Sequence, residues 1–264
     1  MEEKIRTKLK EIEQTYQVKV LFAVESGSRA WGLASRESDY DVRFVYIHPL
    51  DWYLSIDPHR RDVIELPISD QLDISGWEIT KALRLFRKSN PAILEWIRSK
   101  AVYVEHDQFI AKLRRLEKDV FHPKSVLSHY IQIAKKNYAS LHGKEAKLKN
   151  YLYAFRSLLA SKWIVQFNEI PPVDFRELLE RVKLDSQLGN ELEQLAAAKI
   201  HGDERKSMQP DPVLNEYIRK ELDWLSDTVK LMNAGKKDPT AKLNKLFRET
   251  LIDVWKENFV AYLK

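Results

Sequence analysis

Apolar residues recur in the first segment at Ile5, Leu9, Ile12 and Tyr16, steps of four, three and four that gather on one side of a helix. The period then shortens. VKVLFAVES (18–26) is a β-branched and aromatic run ending at Gly27, and DYDVRFVYI (39–47) is a second, closed by His48-Pro49; both predict buried strands. The pattern weakens between Asp51 and Ser69, where only DVIEL (62–66) is apolar. QLDISGWEI (71–79) predicts a third strand running into a helix in which Ile79, Leu83 and Phe86 share a face. Asn90-Pro91 ends that helix and opens another, the proline suiting a first turn, and AVYVE (101–105) predicts a last strand. The order helix, strand, strand, strand, helix, strand is that of a small mixed α/β domain over residues 1–106.

Beyond residue 107 strand signals all but disappear. One helical stripe runs through Leu148, Leu152, Phe155, Leu159 and Trp163, and breaks fall at Phe121-His122-Pro123, His142-Gly143, Ile170-Pro171-Pro172, His201-Gly202 and Ala234-Gly235. Residues 107–264 therefore predict a C-terminal all-α bundle of five or more helices, and the fold class is α+β. No fixed-period repeat or low-complexity tract interrupts it.

Composition narrows the chemistry. The 264 residues are 44% hydrophobic and 31% charged, as in a folded protein with a wet surface. With no cysteine, thiolate nucleophiles and cysteine zinc sites are excluded, so a metal must sit on oxygen or imidazole, which favours a hard cation such as Mg²⁺. His122, His129, His142 and His201 show no repeated short spacing, which speaks against a histidine metal site. No apolar stretch is long enough to span a membrane, and MEEKIRTKLKEIEQ is unlike a signal peptide; the expected location is the cytoplasm. A net charge of +5 suits an anionic partner such as a nucleotide or RNA without requiring one.

Nucleotidyl transfer needs a place for a triphosphate, metals at the α-phosphorus and a carboxylate to help deprotonate the attacking group. Gly27 follows a strand, where a glycine lets the backbone approach phosphate oxygens, and Ser28 adds a hydroxyl; this is a phosphate turn without a Walker lysine. Asp39 and Asp41 alternate along a strand pattern, so their side chains leave one face about 6 to 7 Å apart and can share two Mg²⁺ ions. Asp73, between Leu72 and Ile74, is the candidate third carboxylate and base, with Glu65 and Glu78 as rivals. The competing account of the motif is an ordinary β-turn with Asx-capped loop residues.

The run SGSRAWGLASRESDYDVRFVY resembles the signature of polymerase-β-type nucleotidyltransferases. GSRAWG with SDYD, followed by DISGWEI and NPAILEW, is similar in particular to the predicted nucleotidyltransferases of bacterial RNA repair, encoded beside RNA ligases. The resemblance implies a small mixed-sheet nucleotidyltransferase domain with a C-terminal helical domain, Mg²⁺ and an NTP. It matches Gly27 and Ser28 to the phosphate turn, Asp39 and Asp41 to the metal pair and Asp73 to the later carboxylate. Ser26 departs from it, standing where many members carry an apolar residue.

Arg29, Arg36 and Arg43 flank these residues, and Arg29, next to Ser28, is the preferred partner of a triphosphate; solvated arginines are the plainer reading. Lys149, Tyr153 and Arg156 form a polar line on an otherwise apolar helix, and Lys149 and Arg156 are carried forward as nucleotide-binding candidates against an ordinary solvated face. Lys135, Lys136, Lys144, Lys147 and Lys149, interleaved with Tyr138 and Tyr151, suit either an RNA backbone or the wet side of two helices whose tyrosines are core. Trp77, Trp96 and Trp163 fit core positions. The expected activity is Mg²⁺-dependent transfer of an NMP to a hydroxyl or phosphate, with an RNA end as one acceptor class and a small molecule or protein as others. A nucleotide-binding, antitoxin-like regulatory module and a hydrolase using the same carboxylates are the alternatives.

Overall fold

The computed structural model describes residues 1–57, 61–142, 146–202, 207–233, 235 and 238–256. Gly143, Lys144 and Ala234, which enter the expected breaks and the basic cluster, lie outside them. The chain forms two compact units, one of residues 1–26, 39–120 and 237–264, the other of residues 27–38 and 121–236.

In the first unit, α1 (Glu2–Tyr16) leads into β1 (Lys19–Glu25), β2 (Tyr40–Ile47), β3 (Val63–Glu65), β4 (Leu72–Glu78) and β5 (Val102–Glu105). The strands lie in the order β3-β4-β2-β1-β5, with β2 and β4 parallel and every other neighbour antiparallel. One sheet face packs on the α1 stripe: Ile5, Leu9 and Ile12 meet Val42, Phe44, Tyr46 and Ile74 in one apolar cluster. Tyr16, the fourth member of the predicted stripe, is 38% exposed at the helix end.

On β4 the burial alternates, Leu72, Ile74 and Gly76 inward and Asp73, Ser75 and Trp77 half-buried. Gly76 lies against the Phe44 ring on β2, and a Cβ there would come within 2.2 Å of ring carbon. Gly76→Ala is accordingly expected to destabilise the protein by about 1 to 3 kcal/mol, as overpacking does. Chemical denaturation would measure this, and adding Phe44→Leu should recover part of the loss because the two sites share one volume.

Glu78 ends β4 and caps α4 (Ile79–Arg87), its carboxylate accepting from Thr80 N at 2.8 Å and Lys81 N at 3.4 Å. Asn90 caps α5 (Pro91–Trp96) through Ala92 N, with Pro91 in the first turn as predicted. The single turn α3 (Leu50–Tyr53), α6 (Asp107–Arg115), α7 (Glu117–Val120) and α13 (Thr240–Val254) belong to the same unit. Lys112 pairs with Glu249 at 2.7 Å and Lys242 with Asp119 at 2.6 Å, and Leu243, Leu246 and Leu251 of α13 are buried.

The division thus falls elsewhere than at the predicted boundary between 106 and 107. Amphipathic helices after β5 still have a sheet-side core to cover, and the chain returns to it through α13.

In the second unit, α9 (Leu148–Phe167) is the central helix, packed against α8 (Pro123–Ala139), α10 (Phe175–Arg181), α11 (Ser186–Ile200) and α12 (Pro212–Leu231). The Leu148–Trp163 stripe is buried as predicted, but so are Ala154, Arg156, Ser157 and Ser161 around it, which makes α9 a core helix rather than an amphipathic one. Asp174, Asp185 and Asp211 cap α10, α11 and α12. A two-residue antiparallel pair, β6 (Ala146–Lys147) with β7 (Ser207–Met208), is too short for sequence periodicity to register. Among the described residues no helix is long and apolar enough to cross a membrane.

Candidate functional site

The acidic centre belongs to the sheet. β2 starts at Tyr40, so Asp39 stands exposed just ahead of the strand and Asp41 is inside it. Because β4 runs parallel to β2 with Asp73 opposite Asp41, the two carboxylates emerge abreast from neighbouring strands, whose backbones lie about 4.8 Å apart. Arg43 ties them together: its Nη2 donates to Asp41 Oδ1 at 3.0 Å and to Asp73 Oδ2 at 2.8 Å, while Nη1 donates to the Asp73 carbonyl at 3.1 Å. All three side chains are about three-quarters buried, at 27%, 24% and 20% exposure for Asp41, Asp73 and Arg43. Burial raises the Asp41 carboxyl above its ordinary range; the Arg43 charge opposes this, and Asp73 and Asp39 add to it.

Register places Asp73, and not its rivals, beside Asp41. Glu65 is exposed on β3 opposite Ser75, and Glu78 is fully buried as the α4 cap, also accepting from Tyr53 OH at 2.7 Å. Two hard oxygen donors suit Mg²⁺, which takes one or two carboxylates and completes its shell with water and phosphate, whereas the Arg43 guanidinium between them neutralises part of their charge. Among the described residues no three acidic or imidazole groups form a ready-made cage.

Sequence reasoning missed Glu25. This last residue of β1 is 3% exposed, and its Oε1 accepts from Asp41 N at 2.8 Å while Tyr103 OH donates to Oε2. The Asp41 carbonyl in turn accepts from Ser26 N at 2.8 Å, so the backbone of Asp41 is held on both polar groups. An acid closing an otherwise apolar run was the available signal.

The Gly-Ser turn lies in the segment 27–38, which packs with the helices of the second unit. Gly27 has φ +57°, the left-handed region that favours glycine, and opens the single turn α2 (Gly27–Ala30). Ser28 is buried, and its carbonyl accepts from Leu33 N at 2.9 Å. Arg29 Nη2 donates to the Ser38 carbonyl at 2.7 Å, bracing the two ends of the segment, whereas Arg36 is exposed.

Three contacts from the helices fix the middle of this segment. Phe175 N donates to the Trp31 carbonyl at 2.9 Å, and Lys199, fully buried, donates from Nζ to the Leu33 carbonyl at 2.9 Å. The Arg156 guanidinium lies 4.2 Å above the Trp31 ring and donates to the Val173 carbonyl at 3.1 Å, and Tyr153 meets the same indole edge-on at 5.2 Å. Arg156 is therefore not on a solvated line, being 3% exposed, while Lys149 is exposed at the start of α9. Nothing local in the sequence singles out Lys199, since a lysine in a helical pattern reads as surface.

Lys135, Lys136, Lys147 and Lys149 are exposed, and Tyr151 is core, accepting from Asp211 N at 2.9 Å and donating to Asn215 Oδ1 at 3.0 Å. Trp96 and Trp163 are buried as predicted, and the half-buried Trp77 packs on Trp96 at 4.0 Å.

Residues 1–249 match the family model of RlaP, described as the RNA repair pathway DNA polymerase beta family. The chain belongs to this family. It is 45% identical over 258 residues to YcgL, an uncharacterized protein of Bacillus subtilis (strain 168), across 97% of this chain and 99% of that one. A nucleotidyltransferase-like protein from Exiguobacterium sibiricum 255-15, solved as a crystal structure, is similar over 86% of this chain and 74% of its own, at 14% identity and a TM-score of 0.32. RlaP membership makes the chain a polymerase-β-like nucleotidyltransferase linked by family to RNA repair.

Proposed function

We propose that the protein transfers a nucleoside monophosphate from an NTP to a hydroxyl or phosphate of an acceptor, and that the acceptor is an RNA end. The observation that carries the chemistry is the pairing of Asp41 and Asp73 abreast on neighbouring parallel strands. The RNA acceptor is supported by the family's description and by the net charge of +5.

Asp39, Asp41 and Asp73 would hold two Mg²⁺ ions, which when bound neutralise charge on the triphosphate and on the attacking oxygen. Gly27 and Ser28 present backbone amides and a hydroxyl to phosphate oxygens, and Arg29 adds a guanidinium beside them. Asp73 accepts the proton of the attacking group as the bond to the α-phosphorus forms, and pyrophosphate leaves with the electrons of the broken bond. Glu25 acts through Asp41, whose amide it holds.

Incubating the protein with each α-labelled NTP, Mg²⁺ and single-stranded RNA, a metabolite pool or a protein mixture tests this. Label is expected on RNA with release of pyrophosphate, and chelation of the metal should stop it. Label on the metabolites or proteins alone would overturn the RNA assignment. NTP binding with no product on any acceptor would favour instead a nucleotide-binding regulatory module, a reading the bonds of Arg43 to both acids support.

A further inference from the structure

α13 packs on α4 in the first unit and leaves a cleft of about 240 Å³ lined by Thr80, Arg84, Arg87, Thr240, Asn244 and Phe247 with two leucines, and by no acid. Arg87 Nη1 donates to Thr240 Oγ1 at 2.9 Å, and Arg84 Nη2 donates to Thr80 Oγ1 at 3.0 Å. Among the described residues neither guanidinium meets a carboxylate, unlike Arg98, Arg114 and Arg219 on the same chain. The acids two residues from lining positions are engaged elsewhere: Asp238 accepts from Thr240 N at 3.0 Å and from the Thr240 hydroxyl, Glu78 accepts from Thr80 N at 2.8 Å and from the Thr80 hydroxyl, and Glu249 accepts from Lys112 at 2.7 Å.

We infer that this cleft is a binding site for the phosphodiester backbone of a single-stranded polynucleotide, distinct from the acidic centre. Two guanidinium groups, anchored on hydroxyls that fix their direction, present remaining N–H donors to an anion with several oxygens. The half-buried Phe247 and the leucines give the apolar wall that an unstacked base or a sugar requires, which a duplex does not supply. Exposed cations continue beyond the cleft, with Lys88 after α4 and, on α13, Arg248 and Lys245, the latter 3.8 Å from Glu249; α4 carries no acid. A row of this kind suits successive phosphates better than one. A free nucleotide shares the phosphate chemistry, so the test must separate the two.

Binding of a labelled single-stranded RNA is measured by fluorescence anisotropy across a salt series, without NTP or divalent metal; its failure leaves the transfer reading standing. Arg84→Gln with Arg87→Gln is expected to weaken binding about tenfold and to flatten the log–log salt slope by about 1.4, near 0.7 per lost phosphate contact. Arg84→Lys with Arg87→Lys should keep the slope. An unchanged affinity and slope in the glutamine pair overturns the proposal. So does a pattern in which ATP binding falls while RNA binding stays, which would make the cleft a free-nucleotide site. If the glutamine pair melts early, the lysine pair decides: slope kept supports the site, slope lost overturns it.

Discussion

Asp41→Asn is expected to lower nucleotidyl transfer by about 10³-fold or more, the scale on which loss of one charged participant in a transfer step acts, while the variant melts no earlier than the parent. The second half of that expectation follows from the environment of the carboxyl. Burial is the largest influence and pushes its pKa up; the Arg43 charge opposes it, Asp73 and Asp39 add to the rise, and the net shift is upward. A carboxyl raised in the folded state favours folding while protonated, and that advantage is lost as pH rises from its unfolded value through its folded one. At neutral pH the ionised group therefore opposes folding, and a neutral side chain of the same shape removes the penalty. Arg43 keeps its bonds to Asp73 in the variant.

Initial rates with labelled NTP, and thermal melts at about pH 4 and about pH 7, would test both halves. The stability gain of the variant over the parent should be larger at neutral pH. Transfer that survives the substitution would remove Asp41 from the reaction, and a variant that melts well below the parent at neutral pH would make its bond to Arg43 structural. A functional carboxylate held at the expense of stability is a common compromise at active sites.

How far the sequence led depended on whether a role was local. Runs of β-branched and aromatic residues marked β1, β2, β4 and β5; in β1 the run is nearly continuous because both faces are buried, and in β4 it alternates because one face is. Asp39 and Asp41 stood out by their two-residue spacing after the Gly-Ser turn, and Asp73 because an acid between apolar strand residues is costly. The flanking leucine and isoleucine of Asp73 made it the preferred third carboxylate, but setting Glu65 and Glu78 aside needed the register of β4 against β2, which no single strand encodes: Asp73 lies opposite Asp41, Glu65 lies exposed opposite Ser75, and Glu78 is buried as the α4 cap. Glu25 was hidden for the same reason, since its partners Asp41 and Tyr103 come from two other strands.

The roles of Arg156 and Lys199 lay further out of reach. Each is a cation placed by packing within the helical unit against the segment 27–38, more than a hundred residues away, and helical periodicity assigns such residues to solvent by default. The unit to which α13 belongs was hidden on the same ground: α13 is legible as an amphipathic helix, but the core it covers is not written in its own stripe.

Arg156 supplies the other large effect. Arg156→Ala should destabilise the protein by about 3 kcal/mol, because it empties a buried volume, removes the cation over Trp31 and leaves the Val173 carbonyl without that donor. Arg156→Lys keeps the charge but not the planar stacking surface, and should fall between the two. Lys149→Ala, at an exposed position on the same helix, should stay within about 0.5 kcal/mol of the parent. Denaturant titration of the three variants reads these directly, and NTP affinity measured alongside separates two roles for the arginine. If Arg156 acts by holding Trp31, and with it the segment that carries Gly27 and Ser28, affinity should fall in proportion to the loosening, with the lysine variant intermediate in both. Should Arg156→Ala fold as stably as the parent while losing NTP binding outright, the guanidinium touches the nucleotide itself, and its bonds to Trp31 and Val173 are not what it is kept for.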